Sequence, residues 1–315
     1  MKFNKILTIG IDATSLEENY WKGVRDLADK VVSLSKDNPD IEKELSDTDC
    51  ILTAFGIEVN KKYIDLAPNL KYIGALATAY GKIDIEYAKK KGIPVCNLGG
   101  YSTESVAEFV IAAILESIRG LGEAKARPLK GDYSEDGIRA REIKGKIFAV
   151  IGLGNIGSRV AEIAQGFGAD VRYWSREKKV NFEKRGIKHQ ELDSLLKEAD
   201  FISINVAENK ETTGLLNGAR MQSLKPGAVV INTAPMEIVD LKALRERLVK
   251  GDITFIFDHS DQMKETDVRA LIKHKNCIVY PPIAYISDEA KRNRQETFVA
   301  NLKNFLAGKS TNRVN

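Results

Sequence analysis

Ile147-Phe148-Ala149-Val150-Ile151-Gly152-Leu153-Gly154-Asn155-Ile156-Gly157 is the stretch on which the fold turns. Glycines at this spacing are weak by themselves, because glycines gather in turns by chance, so the flanks decide. The five apolar residues before Gly152 run without alternation, as expected of a parallel strand buried on both faces. Beyond the loop, Ile156, Val160, Ile163, Ala164 and Phe167 fall at i, i+4, i+7, i+8 and i+11, one helical stripe that stops at Gly168. Strand, glycine loop and helix in this order predict a dinucleotide site. Gly152 serves the tight turn, Gly154 lets the backbone approach a pyrophosphate, and Gly157 lets the helix pack closely on the strand. Asn155 and Ile156 lie at the helix start, where amides without intrahelical partners hold an anion.

The next strand, Val171–Trp174, ends at the position where an NAD site places an acid on the ribose 2′-hydroxyl. Here that end reads Ser175-Arg176, with Lys178 close behind. Ser175 removes the carboxylate that would repel a 2′-phosphate, and Arg176 can pair with one, so NADP is favoured. NAD stays possible, because a ribose hydroxyl can bind Ser175. The alternative reading is a solvent-facing basic turn.

Strand-like apolar runs recur on both sides of this unit, with helical segments between them. Lys5–Ile11, Cys50–Ala54, Tyr72–Ala77 and Pro94–Leu98 form one set; Ile147–Ile151, Val171–Trp174, Phe201–Val206, Ala228–Ala234, Ile253–Phe257 and Cys277–Tyr280 form another. Such alternation predicts an α/β protein with two doubly wound parallel-sheet domains. Thr103 to Gly122 carries Val106, Phe109, Val110, Ala113, Ile114 and Ser117 at helical spacing and reads as one long bridging helix. A length of 315 residues suits two domains, and 43% apolar with 29% charged residues excludes a disordered or membrane protein. The start, Met1-Lys2-Phe3-Asn4-Lys5, leads straight into a strand with no signal-peptide pattern, so a cytoplasmic location is expected. A net charge of +4 from 48 basic and 44 acidic residues, not gathered in stripes, predicts no nucleic-acid partner. Cys50, Cys96 and Cys277 have no metal-ligand or redox spacing and read as small reduced core residues, with no metal expected.

Further segments carry a family resemblance: Gly145-Lys146 before the loop, Leu192–Asp200 leading into Phe201-Ile202-Ser203-Ile204, Glu211-Thr212-Thr213-Gly214-Leu215-Leu216-Asn217, and Lys225-Pro226-Gly227-Ala228-Val229-Val230-Ile231-Asn232-Thr233-Ala234. With these the chain resembles the D-isomer-specific 2-hydroxyacid dehydrogenases, the group that contains glyoxylate and hydroxypyruvate reductases, over nearly all of the sequence from about Leu70 onward. The resemblance implies a Rossmann cofactor domain over residues 99–286, inserted into a flavodoxin-like substrate domain made of residues 1–98 and 287–315. It also implies a homodimer through the cofactor domains and a small-molecule substrate. Val206, Thr212, Thr233 and Ala234 then border the cofactor, and Asp258 matches the ligand of the nicotinamide carboxamide.

The same resemblance locates three departures. Family members use an arginine for the substrate carboxylate and a histidine–glutamate acid–base pair. Those places hold Pro235, Pro282 and Met263 respectively. A ketone reduced by hydride becomes an alkoxide that needs a proton, which neither proline nor methionine supplies. For a replacement, His259, next to Asp258, is the candidate, with Asp261 or Glu265 as partner, against the reading of a histidine turned to a neighbouring element or solvent; one of Tyr80, Tyr101 and Tyr285 is the other conceivable proton donor, against their reading as packing residues. Thr78, Ala79, Tyr80, Tyr101, Pro235, Pro282 and Tyr285 form the expected substrate pocket. Three functions stay open: an oxidoreductase of altered chemistry, a dinucleotide-binding sensor or assembly protein without turnover and without a substrate, and a 2-oxo acid reductase with displaced catalytic residues.

Overall fold

Two separate parallel sheets account for the alternation of strand and helix. The computed structural model describes residues 1–315, apart from the side chain of Gln262, and divides into two compact units: Met1–Ser102 with Ser287–Asn315, and Thr103–Ile286.

The first unit holds β1 (Phe3–Ile9), β2 (Ala28–Leu34), β3 (Cys50–Thr53), β4 (Tyr72–Ala75) and β5 (Val95–Cys96). They pair in parallel in the order β2-β1-β3-β4-β5, the flavodoxin-like order. Alternate side chains fill both faces: Ile6, Leu52 and Tyr72 pack with Phe298 and Leu302 of the terminal helix Asp288–Leu306, while Leu7, Ile51 and Ile73 line the other side. Buried Asp49 ties the strand starts together, accepting from Asn4 N at 3.0 Å and Lys5 N at 3.1 Å.

The second unit holds β6 (Ile147–Ile151), β7 (Asp170–Trp174), β8 (Lys188–His189), β9 (Phe201–Ile204), β10 (Val229–Asn232), β11 (Thr254–Phe257) and β12 (Cys277–Val279). Their order is β12-β11-β10-β9-β6-β7-β8, all parallel, so the sheet reverses its direction of growth between β6 and β9. That is the Rossmann order with one more strand beyond β11. β6, β9 and β10 are buried along almost their whole length, with Phe148, Val150 and Ile231 on one face and Ala149, Ile202 and Val230 on the other.

One expected element is corrected. The long helix does not reach Gly122; it spans Thr103–Arg119, Gly120 adopts φ +59°, and a separate short helix Leu121–Ala126 follows. A left-handed glycine turns the chain out of the helix, whose buried face ends at Ile118, and the short helix after it buries no residue. The helix after the glycine loop spans Asn155–Gly166 and ends at Gly168, whose φ of +77° makes the left-handed exit. The three cysteines lie in β3, β5 and β12, and burial pushes their thiols up, Cys277 to about 12, so none is a nucleophile at neutral pH. No helix among the described residues is long and apolar enough to cross a membrane.

Candidate dinucleotide-binding site

Ligands of open α/β sheets sit outside the carboxyl ends of the strands where the order reverses. In the second unit that place is the end of β6, where the glycine loop stands. Gly152 has φ +94°, and a Cβ there would lie 2.7 Å from Val206 Cγ1 and 2.8 Å from Asn205 O. A Cβ on Gly157 would lie 1.9 Å from Gly152 O. At Gly154 such an atom would meet nothing within 4 Å, so the missing side chain leaves open space there rather than close packing. Two glycines therefore let the chain fold, and the third keeps a surface clear beside the first turn of a 12-residue helix that starts at Asn155 and Ile156. A pyrophosphate fits this cradle.

The loop after β7 carries the basic residues. Ser175 Oγ donates to Glu177 O, Arg176 is 76% exposed with NH1 3.4 Å from Glu211 Oε2, and Lys178 is exposed. Glu211 belongs to the loop after β9, which Thr212 staples: its buried hydroxyl donates to Ala207 O at 2.7 Å and accepts from Asn209 N at 2.9 Å. Glu211 is legible in the sequence only as one residue of a family segment; its pairing with Arg176, 35 residues away, leaves no local signal.

At the ends of β10 and β11 the other half of the expected site comes together. Asn232, fully buried, clamps the turn after β10: its Nδ2 donates to Ala234 O at 2.9 Å and its Oδ1 accepts from Ala234 N at 3.2 Å. An Asn at a strand end that bonds its own backbone two residues on is a signal legible in sequence, though only its neighbours were singled out. Asp258 Oδ2 accepts from Ala284 N at 3.1 Å, which brings the segment of Pro282 to the end of β11. Burial holds the Asp258 carboxyl above the usual carboxylate range, against the pull of neighbouring His259. His259 Nε2 lies 3.1 Å from Thr233 O. Of its suggested partners, Glu265 is engaged by Arg269 one turn along the helix Glu265–Leu271. Met263 packs against the apolar cluster on one sheet face, and Pro235 and Pro282 are half-buried.

The remaining expected pocket residues separate by unit. In the first, Thr78 and Ala79 are exposed, Thr78 Oγ1 donates to Leu98 O at 3.0 Å, and Tyr80 and Tyr101 pack against the clusters on the two sheet faces. In the second, Tyr285 is exposed.

A reversed parallel sheet with a glycine cradle at its switch point, and a buried acid three strands further on, defines a protein that binds NAD(P) in the manner of a dehydrogenase. Comparison with known proteins is more specific. The profile of the family described as D-isomer specific 2-hydroxyacid dehydrogenase, NAD binding domain, matches residues 111–284. Glyoxylate reductase of Thermococcus litoralis is 32% identical over 278 residues, covering 84% of this chain and 83% of that protein. D-lactate dehydrogenase from Aquifex aeolicus, solved with NAD and lactic acid, superposes with a TM-score of 0.84 at 30% identity over 96% of each chain. An acyclic imino acid reductase solved with NADPH and D-Arg gives a TM-score of 0.87 at 27% identity, over 98% of this chain and 100% of that one. The chain belongs to the D-isomer-specific 2-hydroxyacid dehydrogenase family.

Proposed function

We propose that the protein is an NADPH-dependent reductase of imino acids or related iminium compounds, rather than of the 2-oxo acids themselves. The observation that carries this is the set Pro235, Met263 and Pro282 at the three places where the family has its arginine, glutamate and histidine. A bound nicotinamide dinucleotide supplies the hydride. A ketone that gains hydride needs a proton on oxygen from a positioned acid. An iminium already carries its proton on nitrogen, so gain of hydride gives the neutral amine directly, and an apolar surround suffices. The likeness to an imino acid reductase supports this substrate class. Within the first unit, the exposed loop of Thr78 and Ala79 is proposed to hold an anion through its backbone amides.

The test is NADPH consumption with glyoxylate or hydroxypyruvate, each with and without excess ammonia or methylamine. Oxidation is expected only when the amine is present. Brisk reduction of the 2-oxo acid alone overturns the reading. No oxidation in either condition favours a dinucleotide-binding protein without turnover, which the same apolar set also suits.

Preference for NADPH is supported by Ser175 and Arg176, since a guanidinium pairs with a 2′-phosphate and no carboxylate closes β7. Arg176→Ala is expected to weaken NADPH binding by roughly tenfold to a hundredfold, the worth of one charged hydrogen-bond partner. NADH affinity should stay within about twofold, because its ribose hydroxyl makes no charged contact to lose. Equal loss for both cofactors, read by fluorescence titration, refutes the assignment.

A cytoplasmic homodimer joined through the cofactor unit completes the reading. Leu121, Leu129 and Tyr133, exposed by 51%, 87% and 83%, fall within one short stretch of this unit and are apolar side chains that such an interface would cover. Sedimentation velocity should give a dimer, and a monomer at micromolar concentration would rule this out.

A further inference from the structure

Two acceptors face one donor at the ends of β10 and β11. Thr233 O lies 3.1 Å from His259 Nε2, and Asp258 Oδ1 lies 3.9 Å from the same nitrogen. A carbonyl oxygen only accepts, so Nε2 carries a proton. Asp258 is 1% exposed, and while its Oδ2 is held by Ala284 N–H, its Oδ1 has no hydrogen-bond partner among the described residues. A buried carboxylate oxygen left in this way is costly, and a native fold that keeps one normally has a use for it. The arrangement therefore lacks a second hydrogen on the donor. An imidazole nitrogen has one hydrogen, whereas a primary amide nitrogen has two and can serve Thr233 O and Asp258 Oδ1 together. A nicotinamide dinucleotide carries one primary amide, the ring carboxamide; its adenosine half belongs beside Ser175, at the other side of the crevice.

We propose that the His259 imidazole fills this amide socket in the cofactor-free protein and must leave it before the carboxamide enters. His259 is then a specificity-determining residue that holds down affinity for the nicotinamide half alone. The inference rests on the reading of this crevice as a dinucleotide site, and not on the imine substrate. The carboxamide would bond Thr233 O and Asp258 Oδ1 together, where the ring serves only the first of these two acceptors, so binding proceeds, but with part of its free energy spent on moving the ring. Half-burial of His259 gives the ring a route outward without unfolding the strand end.

Calorimetric titration of the wild type and of His259→Ala, with NADPH and with 2′-phospho-ADP-ribose, separates the two halves. His259→Ala should bind NADPH about three- to tenfold more tightly, the worth of one hydrogen bond, with no change for the truncated compound. Unchanged or weaker NADPH affinity, beside unchanged affinity for 2′-phospho-ADP-ribose, overturns the proposal. If the wild type binds neither compound nor NADH, the dinucleotide reading itself fails and takes the proposal with it. A direct readout on the unmodified protein guards against a damaged variant. The chain has three histidines, so ¹⁵N-histidine spectra are simple. The His259 Nε2 resonance should move on saturation with NADPH and stay in place with 2′-phospho-ADP-ribose; a resonance that stays in place with both refutes displacement.

Discussion

Gly157→Ala is expected to lower the melting temperature by about 10 °C and to abolish measurable NADPH binding, a larger loss than any other single methyl group should cause in this chain. The added carbon would lie 1.9 Å from Gly152 O, 3.0 Å from Gly152 C and 3.1 Å from Val150 Cγ1. Two of those atoms are main chain and cannot rotate away, so the helix Asn155–Gly166 has to back off β6. Overpacking typically costs about 1–3 kcal/mol, and a backbone that must move puts this case at roughly 3. At about 2–4 °C per kcal/mol for a unit of this size, the shift follows. Gly154→Ala is the control. Its Cβ meets nothing within 4 Å, and its φ of −81° suits alanine, so the fold should keep its melting temperature. The new methyl group would instead stand on the clear surface and weaken NADPH binding. Thermal denaturation and titration of both variants decide the matter: a Gly157→Ala protein that melts with the wild type contradicts the packing argument, and a Gly154→Ala protein that binds normally contradicts the placement of the pyrophosphate.

The contrast between those glycines explains how much could be read from sequence. Their reasons lie within a few residues of chain, strand then turn then helix, and local sterics leave a local pattern. The buried strands were legible for the same cause: β6, β9 and β10 are continuous apolar runs because both faces are covered. β2 and β8 were not. They are edge strands, β2 carrying exposed Asp29 and Lys30 and β8 consisting of Lys188 and His189, so neither shows a hydrophobic run. Gly120 was missed because a glycine inside a helical stripe costs only about 1 kcal/mol and does not by itself mark an end. At the site, residues on one segment were found together, while pairings across segments were invisible. Asp258 with Ala284 spans 26 residues, as does His259 with Thr233. Sequence reading could place His259 beside Asp258 but had no means to see which carbonyl its ring would meet.

Arg247 is the sharpest instance of that blindness, and Arg247→Met carries the other large expected effect, a fall in melting temperature of about 6–12 °C with cofactor affinity retained. In the sequence it sits among Arg245, Glu246 and Lys250 on an amphipathic helix, where a charge reads as solvated. In the structure it is 2% exposed. Its NH1 donates to Gln222 O at 3.0 Å, its NH2 to Leu224 O at 2.8 Å, and its Nε lies 3.0 Å from Asp252 Oδ1 as an ion pair outside hydrogen-bond alignment. The guanidinium thus binds the helix Leu241–Lys250 to the chain that leads into β10. Replacing a whole buried ion pair by apolar groups is often harmless, but here two partners are backbone carbonyls that no substitution removes. Methionine fills the volume and leaves both without a donor, and leaves Asp252 with only the exposed Lys250, 3.1 Å away. Breaking one side of a buried pair costs about 3–5 kcal/mol, and the low end applies because Asp252 is 22% exposed. Arg247→Lys should fall between wild type and methionine, since it restores the charge opposite Asp252 but not the fork that serves two carbonyls. Gln222 and Leu224 precede β10, at the end of the sheet away from the glycine loop, so NADPH binding measured well below the transition should match the wild type. A methionine variant that melts within about 1 °C of the wild type would show that the carbonyls find other donors.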